Sequence, residues 1–276
     1  MKKLIGQIRS LLLVALQKAQ PVLRVIESYY QRVRDYYSVH PKLKWLSIIG
    51  SIIVGPPLLL LLIAWIQIPS KRELRNIQNQ VASEVYSADS VLLGRYYIQD
   101  RTEVKYNEIA PVVINALIAT EDIRFYDHDG VDYNSLGRVL IKSIFMQDES
   151  SGGGSTITQQ LAKNLYPRKD YWIFSMPMNK TREVITAFRL EDIYSKQDLI
   201  TMYLNTIPFA DLSFGIEAAA KRFYSTTAKE LNANQAAILV GMLKATTSYN
   251  PRLYPDRAKT RRNVVLSQMA KYNFLT

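Results

Sequence analysis

The sequence predicts a mainly α-helical domain with a small β portion at its start, preceded by one transmembrane helix. Three observations predict this. Residues 45–68 form one uncharged apolar stretch, residues 84–106 alternate apolar and polar side chains, and beyond Tyr106 apolar residues recur every three or four positions. The chain has 276 residues, of which 48% are hydrophobic and 21% charged, which excludes wholesale disorder.

The first segment, residues 1–44, carries nine Lys and Arg residues against two carboxylates. The positive-inside rule predicts that it stays in the cytoplasm and that the C-terminal part is exported. Apolar residues at helical spacing, from Leu4 to Ala15 and from Val22 to Val33, predict amphipathic helices. These helices either lie on the anionic inner leaflet or pair with each other or with a partner protein, and the sequence leaves both readings open.

Residues 45–68 cover the roughly 20 residues that cross a hydrocarbon core. Trp45 and Trp65 lie near the two ends, and Pro56 with Pro57 predicts a kink or break in the middle. A cleaved signal peptide would have a shorter apolar core nearer the start. The membrane accounts for the net charge of +11, and since no nucleic-acid-binding motif is recognisable, we expect no nucleic-acid partner.

Residues 69–276 form the predicted exported domain. After a polar stem, a short strand pair is expected around Gly94, followed by a helix from Asn107 that includes Phe125. Helical spacing then predicts further helices at about Thr181–Tyr194, Lys196–Asn205, Phe214–Phe223, Asn232–Leu243 and Asp256–Tyr272.

The composition narrows the possible chemistry. The chain has no cysteine, which excludes disulfides and thiolate chemistry, and its only histidines are His40 and His128. Acid–base chemistry therefore falls mainly to carboxylates. On the first helix of the exported domain, Glu121 follows Leu117 by four residues, so its carboxylate lies on or beside the apolar face. Desolvation there favours a proton acceptor near neutral pH, although a solvated Glu121–Asp122 pair is the commoner arrangement for such residues.

A glycine run, Gly152 to Gly154, leads through Ser155 and Thr156 into a helical pattern that ends in Lys163. A loop of this kind at a helix N-terminus can hold an anion such as a pyrophosphate. The spacing is not that of a nucleotide-binding P-loop, so we expect no nucleotide cofactor. The apolar run from Tyr171 to Met178 follows, as either a core segment or a surface that dips into the outer leaflet.

These motifs resemble a known family, the peptidoglycan glycosyltransferases of glycosyltransferase family 51, over about residues 76–276. The family occurs as monofunctional enzymes and as the N-terminal half of class A penicillin-binding proteins. The matching segments are EDIRFYDHDG (Glu121–Gly130), GGSTITQQ (Gly153–Gln160), NKTRE (Asn179–Glu183), KQDLITMYLN (Lys196–Asn205), GIEAAAKRFY (Gly215–Tyr224) and SYNP (Ser248–Pro251).

The resemblance implies a lysozyme-like fold and polymerisation of lipid II in the bacterial cytoplasmic membrane, with lipid II and the growing glycan as substrates. Glu121 is implied as the general base and Glu183 as the second catalytic carboxylate. The residues implied to bind substrate are Asp122, Phe125, Arg138, Ser155, Thr156, Gln159, Gln160, Lys163, Arg168, Lys180 and Arg182. The cations among them would neutralise a diphosphate leaving group. Mg²⁺ or another divalent cation is a possible cofactor at Glu183.

Two positions depart from the family pattern. Asn179 replaces the leading Arg of the third motif, which removes a cation from the expected donor pocket, and Arg182 could compensate. Ala210 stands where a Gly usually follows an aromatic residue. We expect neither change to abolish activity. Other cell-wall synthesis or division proteins are expected as partners.

Two other functions compete with this interpretation. A lysozyme-like glycosidase also uses a catalytic Glu on a helical domain, but it does not need the cationic cluster. A membrane-anchored scaffold would need no catalytic carboxylate. The chain contains no SxxK and no KTG motif, so no transpeptidase motifs are expected within it, and the run Asn273–Thr276 suggests truncation inside a longer protein.

Overall fold

The computed structural model describes residues 2–77, 83–89, 92–96, 100–138, 154–211 and 213–275. The chain separates into two compact units, Met1–Leu62 and Ile63–Thr276. The mainly α-helical class predicted from the sequence is confirmed, because helices dominate the described residues and the strands are short.

Two long helices form the N-terminal part, α1 (Lys2–Val39) and α2 (Pro41–Gln67). Helix α2 is long and apolar enough to cross a membrane, and its apolar window is exposed within the chain. We expected a kink or a break at Pro56 and Pro57, and α2 continues through both residues without a break. Apolar helices tolerate proline where other groups satisfy the freed carbonyls. On α1, the side chains of Val25 and Tyr29 are exposed within the chain, so their apolar stripe remains open to a membrane or a partner.

The β portion is smaller than the predicted segment. Strands β1 (Ser83–Tyr86) and β2 (Leu92–Tyr96) pair antiparallel, and Gly94 lies inside β2 opposite Val85 rather than in the turn. Strand β3 (Asp100–Arg101) pairs parallel with β4 (Ser213–Phe214). The side-chain amide of Asn205 accepts a hydrogen bond from the Val104 N–H and donates one to the Val104 carbonyl, at 3.1 and 2.8 Å. These bonds join the β portion to the helical core.

Among the described residues, the helical domain contains a short stem helix and seven longer labelled helices, with 3₁₀ turns at Tyr106–Glu108, Phe125–Asp127 and Trp172–Phe174. Residues 133–138 are also helical. The labelled helices are α3 (Lys71–Arg75), α4 (Pro111–Glu121), α5 (Ile157–Leu165), α6 (Ser175–Glu191), α7 (Lys196–Thr206), α8 (Ile216–Tyr224), α9 (Ala233–Met242) and α10 (Pro255–Lys271).

Helix α4 lies at the centre of the core. It packs against α9 and α10, while α5 packs against α6 and α7. Leu117 of α4, Leu161 of α5 and Leu204 of α7 are fully buried in one hydrophobic cluster. Burying a leucine side chain contributes about 1.5–3 kcal/mol, so these contacts hold the end of α4 and the start of α5 in place.

Most predicted helices are confirmed to within two residues at each end, and two differ more. Helix α6 starts at Ser175 rather than Thr181, because the apolar run continues into the helix. Helix α4 ends at Glu121, and Phe125 lies in the following 3₁₀ turn, so the helical spacing from Glu121 to Phe125 does not apply. Glu121 therefore sits at a helix end, where its carboxylate reaches neighbouring elements.

Candidate active site

Glu121 has a half-buried carboxylate that meets α5. The Gln160 side-chain amide donates a hydrogen bond from Nε2 to Oε2 of Glu121 at 2.9 Å. Oε1 of Gln160 accepts a hydrogen bond from the Tyr203 hydroxyl, also at 2.9 Å. Both ends of the amide are engaged, so its NH₂ group is held toward Glu121. The other oxygen, Oε1 of Glu121, has no hydrogen-bond partner among the described residues and is available to accept a proton.

Tyr203 is a residue of this site to which the sequence assigned no role. Burial raises the pKa of its hydroxyl well above the ordinary value, and the negative charge of Glu121 adds to this. The hydroxyl therefore remains a proton donor to Gln160. The signal was present in the fourth motif, but spacing along the chain does not reveal that its tyrosine meets the last glutamine of the second motif.

Asp122 is buried and serves a different function from its neighbour Glu121. Its two oxygens each lie 3.1 Å from Nε2 of His128, and Oδ2 accepts a hydrogen bond from the backbone N–H of Ile157 at 3.0 Å. Ile157 is the first residue of α5, so a protein carboxylate already occupies the helix N-terminus where we expected an anion. Asp122 therefore joins the first and second motifs, and its carboxylate is engaged within the protein.

Phe125, which the resemblance implied as a substrate contact, lies fully buried in the core. The Lys196 ammonium lies 4.5 Å from the centroid of the Phe125 ring. Lys196 also forms an ion pair with Glu191 at 2.9 Å and donates to the His128 carbonyl. The lysine of the fourth motif thus packs on the first motif and stabilises it.

Thr156 supports the site from beneath. It is the N-cap of α5 and accepts a hydrogen bond from the Gln159 N–H, while its hydroxyl donates to the Gly130 carbonyl at 2.6 Å. Thr156, which the resemblance also implied as a substrate contact, is buried and caps this helix. Gly152 and Gly153 of the glycine run lie outside the described residues.

A cationic cluster surrounds Glu183 on α6. Nε of Arg168 lies 2.8 Å from Oε1 of Glu183, and Nζ of Lys180 lies 3.5 Å from Oε2. Lys180 also donates hydrogen bonds to Oγ of Ser155 and to Oε1 of Gln159, each at 2.7 Å. The buried carboxylate therefore holds two cations, of which Lys180 also contacts the start of α5.

The environment of Lys180 is more cationic than that of a simple ion pair. Burial lowers the pKa of the Lys180 ammonium, Glu183 opposes this shift, and the positive charges of Arg168 and Lys163 lower the pKa further. Lys163 is exposed and sits near enough to act electrostatically on Lys180. A site with more cations than carboxylates attracts an anion.

Asn179 is a buried structural residue and not a vacancy in a cationic pocket. Its amide accepts a hydrogen bond from the Lys169 N–H and donates to the carbonyls of Lys169 and Ser175, at 3.0, 2.7 and 2.7 Å. Nη1 of Arg182 donates to Oδ1 of Asn179 at 3.1 Å, and Arg182 is only 7% exposed. The structure thus places Arg182 in the support of the loop before α6, away from solvent.

Two further residues lie apart from these networks. Arg138 is exposed and donates a hydrogen bond to Ser135 at 3.4 Å. Ala210 is buried, and the left-handed backbone conformation at this turn belongs to the next residue, Asp211, with φ of 59°. The alanine therefore fits the turn without strain.

The residues at Glu183 do not fit a bound divalent cation. Both oxygens of its carboxylate face positively charged groups, Arg168 and Lys180. Within the described part of the chain, no group of three His, Cys, Asp or Glu side chains is positioned to hold a metal ion. Divalent cations need several oxygen ligands, so the positive charge near Glu183 comes from the side chains themselves.

Taken together, two adjacent residues of α5 connect the two parts of the site. Gln160 holds the carboxylate of Glu121, and Gln159 holds the ammonium of Lys180. A proton acceptor thus lies next to an anion-binding cluster, an arrangement suited to transferring a group from a diphosphate to a hydroxyl.

Comparisons with known proteins agree with this arrangement. Residues 89–270 match the family model described as Transglycosylase. Penicillin-binding protein 1A of Escherichia coli is 37% identical over 210 residues, which cover 76% of this chain and 24% of that protein. Penicillin-binding protein 1F of Bacillus subtilis is 37% identical over 195 residues, covering 71% of this chain and 27% of the relative.

Among solved structures, penicillin-binding protein 1A of Haemophilus influenzae covers 72% of this chain and 19% of that chain, with 23% sequence identity and a TM-score of 0.40. The chain spans about a quarter of the length of the curated relatives that it matches. The family model covers most of the C-terminal unit, residues 63–276, and includes all the site residues described above. The chain therefore belongs to the transglycosylase family, the peptidoglycan glycosyltransferases of family 51.

Proposed function

We propose that this domain polymerises lipid II into β-1,4-linked glycan strands. The 4-hydroxyl oxygen of lipid II bonds to C1 of the growing chain while the bond from C1 to the diphosphate oxygen breaks, with inversion at C1. The hydroxyl proton passes to the base, and undecaprenyl pyrophosphate leaves with the bonding electron pair. One observation carries the proposal: Gln160 and Gln159, adjacent on α5, hold a proton-accepting carboxylate and an anion-binding ammonium.

Glu121 is the general base in this proposal. Gln160 remains hydrogen-bonded to Oε2, so the proton is transferred to Oε1. This oxygen has no hydrogen-bond partner among the described residues. The hydrogen bond from Gln160 orients the carboxylate, and Tyr203 fixes the direction of that bond. A base that is already held in one orientation requires less reorganisation energy when the proton is transferred.

Lys180, Arg168 and Lys163 bind the departing diphosphate in this proposal. Glu183 holds the first two by ion pairs, so it is a positioning carboxylate for the leaving-group site. Cations that are already in place stabilise the charge that develops as the bond breaks.

The membrane anchor is proposed to place the site beside its lipid-linked substrates. In this proposal α2 crosses the bacterial cytoplasmic membrane once, with residues 1–44 in the cytoplasm and the catalytic domain outside. The side chains of Trp172, Ile173 and Met176 are 81%, 65% and 67% exposed, which suits contact with the outer leaflet. Arg189 of α6 lies 4.6 Å from the ring centroid of Trp65 and donates to the Pro69 carbonyl.

The product of the reaction tests this function against its competitors. The chain in detergent is incubated with labelled lipid II, and the products are resolved by gel. A ladder of glycan strands that a muramidase digests is the expected result. Cleavage of finished glycan without a ladder would identify a lytic glycosidase, and binding of lipid II without any product would identify a scaffold.

A further inference from the structure

A second cationic site lies outside the cleft, between the segment after α9 and the first turns of α10. It is a groove of about 560 Å³ lined by both segments. Its charged residues are Lys244, Arg257, Arg261 and Asp256. Three cations thus face one carboxylate, and within the described residues none of the three cations forms an ion pair. None of these residues belongs to the networks around Glu121 and Glu183.

Arg261 is held in place inside this groove. Its Cγ lies so close to Gly241 of α9 that a Cβ at that glycine would meet it at 3.1 Å. Nε of Arg261 is buried and has no hydrogen-bond partner among the described residues. The stem of Arg261 is therefore fixed against α9, and the side chain contributes its positive charge to the lining of the groove.

The groove continues along α10. A second depression of about 410 Å³ shares Thr260 and Val264 with the first, and it adds the polar side chains of Asn263, Ser267 and Gln268. Asp256 to Gln268 corresponds to about 18 Å of helix. An extended peptide covers this length with about five or six residues. A compact anion such as phosphate would occupy only the cationic end.

We propose that this groove binds an extended acidic peptide segment of a partner protein. The carboxylates of the peptide would pair with Lys244, Arg257 and Arg261, and its backbone would hydrogen-bond to the amide side chains at the far end. An apolar contact is available in the groove at Val264, which is 41% exposed. Charge at such a surface selects the partner and its orientation.

The test uses the full chain in detergent and two labelled peptides, hexaglutamate and hexaglutamine, with binding followed by fluorescence anisotropy. The hexaglutamate peptide is expected to bind, and its affinity should fall by about tenfold in the Lys244→Gln/Arg257→Gln variant, since two ion pairs are lost. Both substituted residues are exposed, so the fold is preserved. The matched control, Lys229→Gln/Lys259→Gln, removes two exposed charges outside the groove and should change the affinity by less than about twofold.

Three results would overturn the proposal. Equal losses in the two double variants would mean that the peptide responds only to the net charge of the protein. Equal binding of the hexaglutamine peptide would mean that the carboxylates are not recognised. Displacement of hexaglutamate by an equal concentration of inorganic phosphate would identify a site for small anions rather than for a peptide.

Discussion

Gln160 donates a 2.9 Å hydrogen bond to the carboxylate of Glu121, joining the second motif of the family to the first. Because this hydrogen bond engages Oε2 of Glu121, Oε1 remains available to accept a proton. The hydrogen bond also connects the site to the core, because Gln160 accepts from the fully buried Tyr203. The position of the base therefore depends on α4, α5 and α7 together.

Replacing Gln160 with Leu should lower kcat by about one to two orders of magnitude and change KM less, because the carboxylate loses its orientation but substrate contacts remain. Steady-state rates with lipid II measure this. The Tyr203→Phe variant retains the glutamine and loses only the hydroxyl that orients it, so its effect on kcat should be smaller. A larger loss of kcat in Tyr203→Phe than in Gln160→Leu would contradict the proposal that Tyr203 acts on Glu121 through Gln160.

The charge of Lys180 should control the alkaline side of the pH profile. Burial lowers the pKa of this ammonium, so kcat/KM should decline with rising pH earlier than an exposed lysine would require. The Lys180→Arg variant keeps its charge and should move that decline to higher pH, while Lys180→Gln should be low at every pH. An unchanged alkaline limb in Lys180→Arg would show that another group titrates. Lys169→Gln is the matched exposed control.

The same pKa shift has a consequence for folding stability. The pKa of Lys180 is lower in the folded chain than in the unfolded chain, so the unfolded state binds more protons between the two values. The contribution of Lys180 to the free energy of unfolding should therefore rise as pH increases through that window. The difference between wild type and Lys180→Gln, measured by denaturant titration at several pH values, checks the sign.

Gly130 should be intolerant of substitution. Its φ is +91°, and a Cβ would meet the Ala187 backbone carbon at 3.1 Å. The Gly130→Ala variant is expected to lose about 1–2 kcal/mol or more in free energy of unfolding, because a left-handed conformation and a close backbone contact are both penalised. At Gly137 a Cβ would meet nothing within 4 Å, so Gly137→Ala should be neutral or slightly stabilising. Equal effects at the two glycines would count against this reading.

Restoring the family arginine at position 179 should not improve the enzyme. Asn179 is buried and holds Lys169, Ser175 and Arg182 through its amide, and an arginine there would leave these groups unpaired beside a second guanidinium. The Asn179→Arg variant is expected to lose about 1–3 kcal/mol of stability without a gain in rate. Thermal unfolding measures the change in stability, and lipid II turnover measures the change in rate. Wild-type stability with a faster rate would reinstate the missing-cation interpretation.

The sequence predicted the helices well because their apolar residues repeat at helical spacing, as in α7 and α10. It did not show that Asp122, Phe125 and Thr156 are buried, because tertiary contacts, which spacing along the chain does not reveal, decide where each residue of a motif lies. Glu121 and Asp122 are neighbours in sequence, yet one faces Gln160 and the other caps α5. Helix α4 ends between these two residues, so their side chains contact different elements of the fold. Hydrogen bonds to those elements then determine which residue lies at the site and which supports it.

We propose that Glu121 is the catalytic base. Two carboxylate substitutions within one motif test this role. Glu121→Gln and Asp127→Asn are each assayed for glycan formation from labelled lipid II and for lipid II binding; Asp127 is exposed and only six residues from Glu121. Glu121→Gln should form no glycan while binding lipid II as the parent does, and Asp127→Asn should polymerise normally. Glycan strands of ordinary length from Glu121→Gln would contradict the claim.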